Sequence, residues 1–202
     1  MGIFDPNNII FRTISRMVDI VGLSLLWTFL CSLVLPAGAA TAALYHTVVR
    51  SFREGDESVF LRYLKSLREN AKVGTLAGVI CTVVGFLLVL GFEIMYAHRA
   101  TGIQALTYAI YYVAMVVPLG VVCYLFPLLG RFTFSLKELF VTSLQLALAH
   151  LPTTVIVVLL ALESGVFMIK HIWSFAFYPV VLMWLMSLFL EKVFQKHMPE
   201  EE

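Results

Sequence analysis

Asp, Glu, Lys and Arg are missing from residues 20–49, 73–92, 100–130, 139–162 and 171–190 of this chain. Those windows hold 30, 20, 31, 24 and 20 residues, 125 of the 202 in the sequence. A helix needs about 20 predominantly apolar residues to cross a hydrocarbon core roughly 30 Å thick, and all five windows reach that length. Within such a core each backbone N–H and C=O must be paired inside the protein, which helices do segment by segment. Composition agrees: 60% of residues are hydrophobic and 13% charged, too little charge to coat a surface facing water. The expected fold is an all-α polytopic membrane helix bundle in a single transmembrane domain, residues 1–202.

Several classes fall away. A net charge of +1 offers no basic field for nucleic acid. Cys31, Cys81 and Cys123 lie far apart inside apolar windows without CxxC spacing, which speaks against a disulfide framework or a zinc site and reads as small buried hydrophobes. The first window is long and followed by further spans, unlike a cleaved signal peptide. Pro6 stands where an N-myristoylation motif requires Ser or Thr. No GxSxG, HExxH or phosphate loop is present, so the chain is not expected to be an enzyme or to carry a metal or cofactor.

Asp5-Pro6 reads as a cap and first turn for an interfacial N-terminal helix over residues 1–17. The first span covers 17–35 and stops at Pro36-Ala37-Gly38. One continuous helix over the 30 uncharged residues would be about 45 Å long, so a turn at that cluster is expected, with a short second span over 37–52. The others are expected at 73–96, 104–129, 139–162 and 172–190. Pro118, Pro127, Pro152 and Pro179 fall inside them as kinks. Six crossings place 12 of the 14 Lys and Arg on the cytoplasmic side and five crossings place 10, so the positive-inside rule favours six. Either count puts residues 50–72 and the C-terminus in the cytoplasm; six puts the N-terminus there too.

The segment 53–72 is the main feature outside the bilayer, an amphipathic cytoplasmic helix. Val59, Phe60, Tyr63, Leu64, Leu67 and Ala71 recur at helical spacing on one face, and Arg62, Lys65, Arg68, Glu69 and Lys72 take the other. It can lie on anionic lipid or dock a partner, with Phe60, Tyr63, Leu64, Leu67, Arg62 and Arg68 as the contact residues. Within the bilayer, His150 stands near the middle of 139–162 with Gln145 close by. An intramembrane polar group of this kind marks either helix packing or a transport path. Glu93 and Glu163 sit at expected span ends, within reach of water.

Leu35-Pro36-Ala37-Gly38-Ala39-Ala40-Thr41-Ala42-Ala43-Leu44-Tyr45, the Arg53-Glu54-Gly55-Asp56 turn and Phe60-Leu61-Arg62-Tyr63-Leu64-Lys65-Ser66-Leu67-Arg68-Glu69-Asn70 resemble the YesL family of small bacterial integral membrane proteins. Tyr63 and Leu67 stand where that family's pattern has phenylalanines. The resemblance covers residues 18–95, the remainder agreeing only in hydropathy. It implies a multi-pass protein of the bacterial plasma membrane that accompanies carbohydrate uptake, with permease or ATPase subunits of an ABC transporter as partners. The alternative is a small oligomeric transporter or channel with His150 and Gln145 on its path.

Overall fold

The computed structural model describes residues 9–53, 59–97 and 102–197. The Asp5-Pro6 cap, the Gly55-Asp56 turn and Arg99 lie outside them. Among the described residues the chain is helical and without strands: α1 Ile9–Ser32, α2 Ala37–Thr47, α3 Val59–Glu69, α4 Ala71–Ala97, α5 Gly102–Ala114, α6 Val116–Arg131, α7 Leu136–Ala149, α8 Leu151–Lys170 and α9 Tyr178–His197. A π-helical turn, Val48–Arg53, extends α2, and a 3-10 turn, Ile172–Ala176, precedes α9. Among the described residues five stretches are long and apolar enough to cross a membrane: Thr13–Ser32, Ala71–Tyr96, Leu106–Arg131, Leu151–Lys170 and Tyr178–His197. The protein is an all-α polytopic membrane bundle.

Its centre is α2. With Ala or Gly at six of eleven positions, this helix is buried nearly all round, walled by α1, α3, α4, α6 and α9. Small residues let backbones approach where lipid supplies no hydrophobic drive between helices. A methyl on Gly38 would lie 2.2 Å from the carbonyl oxygen of Gly74 and 2.9 Å from Cα of Gly78. On the opposite side a methyl on Gly130 of α6 would lie 2.5 Å from the carbonyl oxygen of Ala42. The Gly74-x-x-x-Gly78 pair on α4 is therefore the seat of α2. Polar links hold the other walls: Trp27 Nε1 donates to Thr41 Oγ1 at 3.2 Å, and the Tyr63 hydroxyl donates to the Ala40 carbonyl at 3.4 Å.

The far half of α4 pairs with α5. The Tyr111 hydroxyl donates to the Leu88 carbonyl at 2.9 Å, and Phe92 meets Tyr96, Tyr108 and Tyr112 at 5.5–6.3 Å between ring centroids. Phe86, Leu87, Val89 and Val113 face outward, as lipid-facing side chains do. Helices α8 and α9 form an antiparallel hairpin: His150 meets His197 at one end and Phe167 meets Tyr178 at the other.

Two expected spans are redrawn by proline. The stretch 139–162 is not one crossing. Its helix ends at Ala149, His150 takes φ −121° and ψ 48°, and α8 starts at Leu151 with Pro152 in its first turn. Pro152 cannot donate to the Leu148 carbonyl and its ring would collide there, whereas the first turn of a new helix asks for no such donor. The span expected at 172–190 shifts to Tyr178–His197 because Pro179 likewise opens α9. Pro118 sits in the first turn of α6; Pro127 is the one inside that helix. The stretch expected as a second crossing over 37–52 is the enclosed α2 and its π-helical turn. Glu163, expected at a span end, lies inside α8.

Candidate functional site

At the Arg131 end of α6 three helices meet around a buried ion pair. Arg131 Nη2 lies 3.1 Å from Glu191 Oε2, and their side chains keep only 6% and 4% of their exposure. The second carboxylate oxygen, Oε1, accepts the Tyr45 hydroxyl at 2.8 Å. One residue along α2, His46 Nδ1 lies 2.6 Å from the Gly130 carbonyl. The missing side chain at Gly130 permits this, since it lets α6 close on the α2 backbone. Phe194, one turn beyond Glu191, covers the group and meets Tyr45, Tyr124 and Phe132 edge-on at 6.3–6.5 Å. A carboxylate taken from water needs its charge and lone pairs met, and here a guanidinium and a phenol meet them. In the sequence Arg131 and Glu191 read only as charges closing two windows. The signal joining them is that both windows close on the same side of the bilayer.

The second polar feature is the α7–α8 junction. Gln145 is exposed on the outer side of α7, opposite Leu139, Ser143, Leu146 and Ala147, which are buried. His150 is half-buried, its ring 4.7 Å from that of His197 and nearly perpendicular to it. Its Nε2 is shielded from solvent without a hydrogen-bond partner. Gln145 and His150 therefore point to different surroundings, and His150 stands at the start of a crossing helix rather than in the middle of one.

Desolvation, with His197 and Lys196 beside it, pushes the His150 imidazole below its ordinary 6.5. The unfolded chain then takes up the proton before the folded one does, so stability is full above about pH 6.5 and declines as the pH falls. Thermal unfolding in detergent between about pH 5 and 8 is expected to show this decline, and His150→Gln to flatten it. An unchanged slope in the variant would assign the decline to other groups.

The third feature is α3, and its faces differ from the expected pattern. Tyr63 is fully buried against α2, and Arg62 and Leu67 are half-buried. Phe60, Leu64 and Arg68 are exposed, together with Lys65 and with Leu61, the most exposed of the apolar three at 74%. The Phe60 ring leans on Gly22 of α1, where a methyl would come within 2.7 Å of it. The helix thus has two apolar strips: α2 occupies that of Val59, Tyr63 and Leu67, and Phe60-Leu61-Leu64 is left outward among cations.

The three cysteines are free and part-buried. Among the described residues no three His, Cys, Asp or Glu side chains converge to hold a metal ion. Fold and polar features together define a compact helical membrane protein organised around an enclosed small-residue helix. Residues 20–92, which include that helix and α3, match the family described as "Protein of unknown function, DUF624". No curated protein and no solved structure matches the chain.

Proposed function

We propose that this protein is an accessory or regulatory subunit of a carbohydrate ABC uptake system in the bacterial plasma membrane, and that it reaches its partner through α3. The carrying observation is the outward surface of Phe60, Leu61 and Leu64 beside Lys65 and Arg68. An apolar patch rimmed by charge, on a helix already held in place by its other face, is suited to a protein contact. The YesL-like residues and the matched family interval both fall on this part of the chain, and the resemblance is what suggests the transporter class. The positive-inside count, with five crossings as with six, favours a cytoplasmic α3, beside the permease loops and ATPase subunits that it would contact.

The test is affinity purification of the tagged protein in mild detergent. Permease or ATPase subunits are expected to co-purify with the wild type and to be lost, at least tenfold, with Leu61→Glu plus Leu64→Glu. Both positions are exposed, so the variant should elute from size exclusion as the wild type does. Recovery of the protein alone, with uptake unchanged on its deletion, would overturn the reading. Solute flux by the purified protein in liposomes would replace it with the transporter alternative.

A further inference from the structure

We infer that the outer face of α8 binds a transmembrane helix of a different protein, one that presents a Lys or Arg side chain at the depth of Glu163. Helix α8 runs over 20 residues, Leu151–Lys170, about 30 Å at 1.5 Å per residue, the full thickness of a hydrocarbon core. Glu163 is its thirteenth residue, only about 4 Å from the helix midpoint. Its side chain is exposed and forms no hydrogen bond or ion pair among the described residues. Around it, Ile156, Leu159, Leu162, Val166 and Ile169 are exposed and apolar. The next charge along the helix is Lys170, about 10 Å further on, beyond the reach of a carboxylate on two methylenes.

An ionised carboxylate facing lipid near the bilayer centre is costly, and such groups face protein, water or a counter-charge. The bundle interior is not available to Glu163, because Thr154, Val157, Val158 and Ser164 are the buried side of α8. No described residue supplies the missing element, which is positively charged.

A second copy does not supply it. A two-fold pairing through this face would set Glu163 against Glu163, which is repulsive. In an unsymmetrical pairing the described cations of the spans are at the wrong depth. Arg16, Lys72, Arg131, Lys170, Lys192 and Lys196 all lie within six residues of a span end, and Arg131 is already paired with Glu191. The apolar residues one turn either side of Glu163, Leu159 and Val166, give the incoming helix its packing surface.

The inference concerns the bilayer face and does not depend on the α3 contact, so the two fail separately. It is tested in the full-length protein in its native membranes with a photo-crosslinking residue, Leu159→benzoylphenylalanine or Val166→benzoylphenylalanine. Both positions are expected to capture the same membrane protein, with the cross-linked peptide in a span that contains Lys or Arg. The yield should fall at least tenfold with Glu163→Lys and about threefold with Glu163→Gln, and be unaffected by Leu61→Glu. Changing the partner's basic residue to Glu should restore it in the Glu163→Lys background. Adducts with lipid only, with a second copy of this chain, with a span lacking a basic residue, or at a yield indifferent to Glu163→Lys would each overturn the inference.

Discussion

Gly38→Ala is expected to deplete the folded protein from membranes, although it adds a single methyl group. That methyl would meet the Gly74 carbonyl oxygen at 2.2 Å, and Cα of Gly78 and the Phe126 ring at 2.9 Å each. Two of the three obstacles are backbone, so relief requires α2 and α4 to separate. Every wall around α2 then loses contact together. Overpacking in a core costs about 1–3 kcal/mol where side chains can yield; with backbone on both sides about 3 kcal/mol or more is expected. Detergent-solubilised Gly38→Ala should precipitate, or unfold about 6–12 °C below the wild type for about that loss. The matched control is Gly85→Ala in α4, where nothing lies within 4 Å of the added methyl. It should be neutral or slightly stabilising, by up to about 1 kcal/mol of helix propensity. Equal behaviour of the two variants would mean that the α2–α4 contact is not the seat of the fold.

Glu191→Ala should cost about 3–5 kcal/mol, because it leaves the Arg131 guanidinium buried without its counter-charge. The Tyr45 hydroxyl loses its acceptor in the same substitution. Arg131→Ala strands the carboxylate and should cost a similar amount. The combined Arg131→Met, Glu191→Leu variant should recover most of the loss, since an apolar pair of similar volume avoids desolvating two ions. Thermal unfolding of the wild type, Arg131→Ala, Glu191→Ala and the combined double-alanine variant closes a double-mutant cycle. A coupling energy near zero would show that the pair adds nothing to the attachment of α9, despite its geometry. A large one makes Glu191 the fastening of α9 to both α2 and α6.

The bundle was readable in the sequence because charge and lipid exclude each other, and five uncharged windows are hard to place elsewhere. The helix breaks inside those windows were less so. Ala149 and Leu151 belong to separate helices, yet no charge marks the gap. Pro152 marks it, provided a proline is taken as the first turn of a helix rather than a bend within one. Pro118 and Pro179 carry the same message and Pro127 does not, so position relative to the break decides. The α2 seat was present as Gly74-x-x-x-Gly78, but small-residue spacing names no partner, and Gly38 lies on another helix. The α3 pattern was legible as amphipathic, but a period of 3.6 residues allows Tyr63 and Leu61 to face opposite ways without saying which way the bundle lies. Arg131 with Glu191 required the tertiary fold, their separation in sequence being 60 residues.

The enclosure of α2 sets an order on biosynthesis. Its walls include α6 and α9, and α9 opens at Tyr178, long after Thr47 has left the ribosome. At about 5–20 residues per second, a nascent chain carries this glycine- and alanine-rich segment for many seconds before its last neighbours exist. Tyr45 waits as long for Glu191. Translation products that stop short of α9 would leave that segment open on its α9 side, with Tyr45 lacking Glu191, which makes the final helix the checkpoint for quality-control proteases in the membrane.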